Sequence, residues 1–223
     1  GNADDLGCGC GEAAPSGCDE TCGSDLVDDA CGVCGGDGSS CLASLELGAF
    51  DASGSLEILY NFGSDVAGFQ FDVSGLALTG GSGGASGDAG FTVSTGATTV
   101  LGISFTGGVV PAGSGVLTVL GFSAVTGDVT ELSLGNSGAV STADGSTFDL
   151  TLSGSIDHAQ DCAGTYYGDA VEDCAGDCGG VATEDCAGDC GGSAADLGCG
   201  CGEAAPSGCD ETCGSTAVVD CAG

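Results

Sequence analysis

The segment Val66-Ala-Gly-Phe-Gln-Phe-Asp-Val73 gives the clearest indication of the fold of this chain. Within it, the apolar side chains of Phe69, Phe71 and Val73 alternate with polar ones. Successive side chains of a β-strand point to opposite faces, so this alternation places the three apolar groups on one face. The stretch therefore predicts a strand that turns one face towards a hydrophobic core.

Similar alternating segments lie on both sides of this strand. Leu45, Leu47 and Ala49 alternate with polar positions, and clusters of Gly, Ser, Asn and Asp separate the segments. No segment carries a helical apolar stripe with caps. The sequence therefore predicts an all-β fold, a single antiparallel β-sandwich. Its further predicted strands lie at Leu56–Tyr60, Phe91–Thr95, Thr99–Phe105, Gly115–Ala124, Val129–Leu134 and Thr147–Leu152.

Cysteine divides the chain into three zones. Of the 17 Cys residues, seven lie between Cys8 and Cys41 and ten lie between Cys162 and Cys221. We expect a Cys-rich block over residues 1–41, the sandwich domain over residues 42–157 and Cys-rich repeats over residues 158–223. The outer zones are rich in Gly, Asp and Ala, so they cannot build an ordinary core. We expect them to have little regular secondary structure and to be held together by disulfides.

Two internal repeats organise the outer zones. Residues 5–24 recur without change as residues 196–215, an offset of 191 residues. This duplication predicts that the chain covers slightly more than one unit of a tandem array. A shorter repeat of 12 residues begins at Asp161, Asp173 and Asp185, where the sequence reads Asp-Cys-Ala-Gly each time.

The odd number of Cys residues is explained by the same duplication. Five of the 17 belong to the second copy of the unit, which leaves an even number, 12, in one unit. The sequence therefore predicts complete pairing rather than a free thiol. The five are Cys199, Cys201, Cys209, Cys213 and Cys221.

The pairing is predicted from spacing. Closing each Cys on its nearest neighbour would require strained Cys-x-Cys rings and would leave Cys162 without a mate, since Tyr166 occupies that position. Pairing across the longer gaps avoids both problems and leaves Cys8 for a bond to a preceding copy. The predicted bonds are Cys10–Cys18, Cys22–Cys31, Cys34–Cys41, Cys162–Cys174, Cys178–Cys186, Cys190–Cys199, Cys201–Cys209 and Cys213–Cys221.

Metal–thiolate binding is the alternative use of these Cys residues. Zinc sites favour Cys-x2-Cys pairs, and Cys31 and Cys34 are the one pair with that spacing. The spacing therefore favours disulfides.

Carboxylates also recur with the 12-residue period. If the repeats stack, like charges lie close together, and Ca²⁺ is a hard cation that accepts such oxygen ligands. The alternative is a solvated acidic surface without bound metal. Calcium is the one cofactor that the sequence suggests, and its candidate ligands are Asp37, Asp173, Asp177, Glu184, Asp185 and Asp189.

The charge of the chain excludes several functions. The chain has 33 acidic residues, no Lys or Arg and one His, so its formal net charge is −33. We expect no binding to nucleic acid or to anionic membranes, because the chain cannot neutralise phosphate. We also expect no enzymatic activity, because the chain has no amine or guanidinium for catalysis and we place its one imidazole, His158, on the surface or in a linker.

Two further segments have local interpretations. The glycine-rich segment 80–88 lacks the Lys of a phosphate-binding loop, so we expect a flexible hairpin loop there. Tyr166 and Tyr167 follow the sandwich, and they are either linker residues or candidates for an interface with the sandwich or a neighbouring unit.

Three segments of the central zone, 55–61, 66–73 and 109–120, resemble the cohesin-like and related carbohydrate-binding β-sandwiches of extracellular bacterial proteins. The 12-residue repeats resemble the DCAGVCGG-type repeats of large secreted bacterial proteins. Residues 31–41 are similar to a segment of secreted metalloprotease ancillary domains. These resemblances imply a jelly-roll sandwich in an extracellular, oxidised setting.

These observations predict a structural protein that is secreted or displayed on a cell surface. It would be the subunit of a filament or array, its partner would be further copies of itself, and disulfides would stiffen each 191-residue unit. The alternative is a stalked adhesin or carbohydrate-binding module, which would bind glycans through an exposed aromatic platform. With eight Phe, three Tyr and no Trp, the chain has few residues for such a platform.

Overall fold

The computed structural model describes residues 8–9, 14–29, 32–135, 137–207 and 210–218. The chain forms two compact units, Gly1–His158 and Ala159–Gly223. The first contains the N-terminal Cys-rich block and the β-sheet, and the second contains the 12-residue repeats and the second copy of the duplicated block. In the described ranges, no helix is long and apolar enough to cross a membrane.

The strands of the first unit confirm the predicted all-β fold. A 3₁₀ turn at Ser39–Cys41 precedes β3, and one helical turn, α1, spans Gly84–Asp88. In chain order the strands are β1 (Pro15–Ser16), β2 (Thr21–Cys22), β3 (Leu42–Asp51), β4 (Ser55–Phe62), β5 (Gly68–Val73), β6 (Leu76–Ser82), β7 (Thr92–Thr95), β8 (Thr99–Ile103), β9 (Gly113–Val125), β10 (Val129–Ser133), β11 (Ala139–Ser141), β12 (Asp149–Ser153) and β13 (Ser155–Asp157).

One large sheet surrounds the core. Its strands follow the order β12-β3-β4-β9-β6-β7-β8-β5-β10-β13, and β11 pairs with β5. The first and last strands of this order are successive segments of the chain, separated only by Gly154. The sheet must therefore curl round so that its two edges meet. The pairing is antiparallel as predicted, except that β12 returns parallel to β3.

The predicted central strand lies in the core. Phe69, Phe71 and Val73 of β5 are all buried, and the ring of Phe69 stacks on that of Phe91 at a centroid distance of 5.8 Å. The neighbouring β8 has glycine at Gly102, where a Cβ atom would lie 2.0 Å from the Phe69 ring. The alternating pattern therefore predicted the buried face of β5 correctly. Gly102 of the neighbouring strand provides the space for the Phe69 ring.

A β-bulge changes the alternation in β3. The register of β3 against β4 shifts between Leu47 and Phe50. Because a bulge adds one residue to one strand, Phe50 packs against the core and Ala49 is exposed. The predicted inward position of Ala49 is therefore wrong.

The glycine-rich segment 80–88 is not the flexible loop that the sequence predicted. Its first residues complete β6, and α1 follows. Gly84 has a left-handed φ of +62°, and a Cβ atom there would lie 2.6 Å from the Val116 carbonyl oxygen. Glycine thus lets this helical turn pack directly against the backbone of β9.

The single histidine lies buried in the first unit, with 6% of its surface exposed. The pairing of β13 with β10 places His158 beside β10, where its Nε2 atom lies 2.7 Å from Thr130 Oγ1. The imidazole also contacts the Phe50 ring at a centroid distance of 5.0 Å. The predicted position of His158 on the surface or in a linker is wrong, because a hydroxyl from a distant strand pairs with the imidazole inside the fold.

Burial lowers the pKa of His158, and the nearby Asp157 carboxylate opposes part of this change. Acidification from about pH 7 to about pH 5 will therefore reduce the contribution of His158 to the free energy of unfolding. The unfolded chain takes up a proton near the ordinary His pKa of about 6.5, at which folded His158 remains neutral. Stability from the neutral imidazole is thus present above that value and is lost as the pH falls through it.

Urea unfolding of the wild-type chain and a His158→Gln variant measures this effect. The variant keeps a polar partner for Thr130 without a titrating group, so acidification will lower the wild-type midpoint relative to that of the variant. Parallel pH profiles for the two proteins would contradict the assignment.

Candidate functional site: aspartate turns joined by disulfides

Each repeat of the second unit is built on one aspartate side chain. In the turn that begins at Asp173, the Oδ1 atom accepts backbone hydrogen bonds from Ala175 at 2.9 Å and Asp177 at 3.0 Å. The Oδ2 atom accepts a third from Ala182 at 3.0 Å. A carboxylate thus pairs with three backbone N–H groups of its own repeat and fixes the path of the chain without a hydrophobic core. We call this arrangement the aspartate turn.

The same turn recurs along the chain. Asp185 accepts hydrogen bonds from Ala187, Asp189 and Ala194, and Asp161 accepts them from Ala163, Thr165 and Ala170. Two further aspartates each accept two hydrogen bonds from N–H groups at equivalent positions. They are Asp29, bonded to Val33 and Gly38, and Asp196, bonded to Gly198 and Gly200.

These hydrogen bonds keep the aspartates ionised. The N–H groups lower the pKa of Asp161, Asp173 and Asp185, and the largest contributions come from Thr165, Asp177 and Ala194 respectively. Only the charged form accepts all three bonds fully, so each turn depends on its negative charge. In a chain without Lys or Arg, backbone N–H groups take the place of cationic partners.

Glycine is required at the seventh position after the aspartate. A Cβ atom at Gly180 would lie 2.0 Å from Asp173 Oδ2, and one at Gly192 would lie 2.1 Å from Asp185 Oδ2. Gly168 and Gly36 show the same relation to Asp161 and Asp29. The second glycine of each Cys-Gly-Gly sequence therefore leaves room for the carboxylate. The equal spacing of Asp and this Gly in successive repeats is the signal that sequence reasoning missed.

Disulfides join each aspartate turn to the next one. The bonds Cys162–Cys178, Cys174–Cys190, Cys186–Cys201 and Cys199–Cys213 have Cα–Cα distances of 5.4–5.5 Å. The structure thus replaces the predicted Cys162–Cys174, Cys178–Cys186 and Cys190–Cys199 bonds. We call these four bonds the ladder.

The backbone explains why the predicted pairing fails. Cys178 forms a β-bridge with Glu172, the residue that directly precedes its own turn. The cysteine at the fifth position after the aspartate therefore lies beside the chain that arrives from the previous turn. It pairs with the first cysteine of that turn, Cys162, and not with a nearer one in sequence.

The same pairing pattern explains why position 166 carries Tyr and not Cys. It occupies the fifth position of the turn that begins at Asp161, where the later repeats carry the Cys that bonds to the preceding turn. No Cys lies between Leu42 and Asp161, so a Cys at this position would have no preceding partner in the repeats. Tyr166 forms a β-bridge with Gln160, and Tyr167 is 46% exposed. Their predicted role in an interface stays a prediction.

The described residues of the duplicated block share one disulfide and one hydrogen bond between the two copies. Cys8–Cys22 in the first copy corresponds to Cys199–Cys213 in the second. The Ser16 hydroxyl donates to the Ser24 carbonyl at 2.7 Å, and the Ser207 hydroxyl repeats this bond to Ser215. Cys8 therefore has a partner inside its own block, which corrects its predicted bond to a preceding copy.

The other N-terminal bonds also differ from the prediction. Cys18 pairs with Cys34, so the predicted Cys34–Cys41 bond is replaced, although Cys41 is also disulfide-bonded. Cys10, Cys31, Cys209 and Cys221 lie outside the described residues. The bonds predicted for them had the partners Cys18, Cys22, Cys201 and Cys213, each of which is bonded elsewhere.

The candidate calcium ligands are not gathered into one site. The oxygens of Asp173 and Asp185 accept N–H groups in the turns described above, and Asp37 accepts the Ser39 N–H at 3.0 Å. This contact and the Ser39 hydroxyl lower the Asp37 pKa. Asp177, Glu184 and Asp189 are exposed. Calcium binding stays a prediction.

One group of potential metal ligands does occur within the described ranges. Cys18, Asp28 and Cys34 bring their ligand atoms within 4.8 Å of one another. Its two sulfur atoms form the Cys18–Cys34 disulfide, and a disulfide offers no thiolate to a metal ion.

The described surface of the sandwich carries no aromatic platform. Two neighbouring shallow depressions on β3 and β4 share Ser44 and Asn61, and the half-buried Tyr60 is the one aromatic side chain that lines them. The exposed aromatic side chains of the described residues are Phe105 and Tyr167, which belong to different units. This surface does not favour the glycan-binding alternative.

Comparison with known proteins gives one structural similarity. Neither family models nor curated proteins match this chain. A non-cellulosomal cohesin from the hyperthermophilic archaeon Archaeoglobus fulgidus is similar in structure, with a TM-score of 0.36 and 15% sequence identity. The similarity covers 49% of this chain and 85% of the cohesin.

Replacing the central carboxylate will open its turn. We expect Asp173→Asn to accelerate hydrogen exchange at the Ala182 amide several-fold, because one acceptor oxygen is lost and the charge that strengthens these bonds is removed. Amide exchange followed by NMR measures this rate at each residue.

Asp177→Asn is the matched control. It removes the same charge from the same turn, but the Asp177 side chain is exposed and the three bonds to Asp173 remain. Equal exchange rates at Ala182 in the two variants would mean that net charge, and not the aspartate turn, controls this segment.

Proposed function

We propose that this chain is a structural unit of an extracellular filament or surface array, built from tandem or end-to-end copies of the 191-residue unit. The observation that carries this proposal is the block that occurs on both sides of the sandwich. Its two copies have the same sequence and the same disulfide, Cys8–Cys22 and Cys199–Cys213. A block that occurs on both sides of the sandwich is expected where sandwiches and Cys-rich repeats alternate along one chain.

The ladder supports the proposal because it continues into the second block. Cys186 belongs to the last 12-residue repeat and bonds to Cys201, which lies in the duplicated block. In the first block, the Cys18–Cys34 bond joins the duplicated segment to residues closer to the sandwich, which begins at Leu42. Covalent links therefore extend from the repeats of one unit into the block that precedes the next sandwich.

The disulfides support an extracellular location. Small disulfide-dense segments without a hydrophobic core are typical of oxidising compartments, because reducing cytosol would open them. The chain has no Lys or Arg, so trypsin-like proteases have no cleavage site in it. Both properties suit material that is exposed outside the cell.

Chains with one, two and three copies of the 191-residue unit test the proposal. We expect the maximum dimension from small-angle X-ray scattering to grow by a constant increment per copy, and electron microscopy to show filaments with one axial spacing. Sedimentation of the single-copy chain at rising concentration tests end-to-end association.

The control is a C186S/C201S variant of the same chains. It removes the bond between the repeats and the second block, so its increment per copy should be smaller and more variable. If scattering is the same with and without this bond, and no filament forms, the proposed structural role is wrong.

A further inference from the structure

We propose that the ladder is a covalently redundant tether, which stays connected after any single peptide bond between Cys162 and Cys213 is cut. This inference goes beyond the proposed assembly, because it concerns the connectivity of a single chain. It rests on the order in which the four disulfides overlap along the sequence.

Each bond of the ladder begins before the previous one ends. Cys174 precedes Cys178, the end of the first bond, so the first two loops share a segment of chain. The second and third loops overlap in the same way between residues 186 and 190, and the third and fourth between residues 199 and 201. Every peptide bond from Cys162 to Cys213 therefore lies inside at least one disulfide loop.

The predicted pairing would have lacked this property. With Cys162 bonded to Cys174 and Cys178 bonded to Cys186, the peptide bonds between residues 174 and 178 would lie in no loop. A single cut there would separate the chain into two parts. Redundancy thus follows from the overlap of the loops and not from the number of disulfides.

The overlap also limits how far the segment extends under tension. The shortest covalent route from Cys162 to Cys213 crosses three disulfides and two short stretches of chain, about 50 Å in all, whereas the extended chain alone would span about 180 Å. The three bonds are Cys162–Cys178, Cys186–Cys201 and Cys199–Cys213. Because Cys174–Cys190 lies off this route, its loss leaves the limit unchanged.

A tether of this kind suits a linker outside the cell. Hydrolysis adds one water across a peptide bond and leaves every disulfide as it was. The two new ends therefore remain joined through the loop that surrounds the cut, and the linker stays connected until a second break occurs.

The absence of Lys and Arg allows a direct test, since one introduced Arg creates a single tryptic site. Val181 is 92% exposed, and Cys174–Cys190 is the one described disulfide whose loop surrounds it. The full-length V181R variant is digested with trypsin in moderate urea, so that cleavage does not depend on the folded turns. We expect one product without reductant, heavier than the uncut chain by one water, and two fragments, residues 1–181 and 182–223, with reductant.

Three further variants make the outcome specific. In V181R/C174S/C190S the surrounding loop is gone, so trypsin should release both fragments without reductant. In D177R the cut falls where the first two loops overlap and should leave the chain joined. No described disulfide spans residue 105, so F105R serves as the control that separates without reductant.

Release of fragments from V181R or D177R without reductant would overturn the proposal. Retention of both fragments by V181R/C174S/C190S would overturn it as well, because some other link would then join them. Either result is independent of filament formation, so failure of this inference is distinguishable from failure of the proposed function.

Discussion

The second unit depends on the hydrogen bonds between one aspartate carboxylate and the backbone N–H groups of its own turn. In a chain with 33 acidic residues and no Lys or Arg, backbone N–H groups and hydroxyls are the main protein donors available to the carboxylates. The aspartate turn does this and at the same time sets the positions of the two cysteines. Glycine at the seventh position, as at Gly180, gives the carboxylate its space. The negative charge, the glycine and the disulfide pairing of each repeat thus all depend on the aspartate turn.

The two units are stabilised in different ways. The sandwich buries aromatic and aliphatic side chains between the faces of a curled sheet, and Phe62, Phe69 and Phe71 are its largest fully buried groups. The repeats bury almost nothing, and Val181 is 92% exposed. Their order comes from short hydrogen-bonded turns and from disulfides that restrict the unfolded chain. Conditions that unfold one unit need not unfold the other: reductants act on the repeats, and denaturants act on the sandwich.

The sequence predicted those features that depend on local periodicity. Alternation identified the buried face of β5. Prediction from the sequence failed for features that depend on tertiary structure. Ala49 is exposed because of a bulge, and His158 is buried because Thr130, far away in sequence, provides a partner. The disulfide pairing depends on which cysteines the aspartate turns bring together, and Cys spacing alone does not contain that information. Recognising the aspartate turn first would have placed Cys178 beside the previous repeat.

The overlapping disulfides of the ladder determine how the repeats are joined, and disulfide mapping tests their pairing. The chain lacks tryptic sites, so it would be cleaved at its aspartyl bonds in dilute acid, which also suppresses disulfide exchange. Mass spectrometry of the unreduced peptides should find Cys174 joined to Cys190 and Cys186 joined to Cys201. Peptides that join Cys162 to Cys174 and Cys178 to Cys186 would contradict the overlapping ladder and the tether that follows from it.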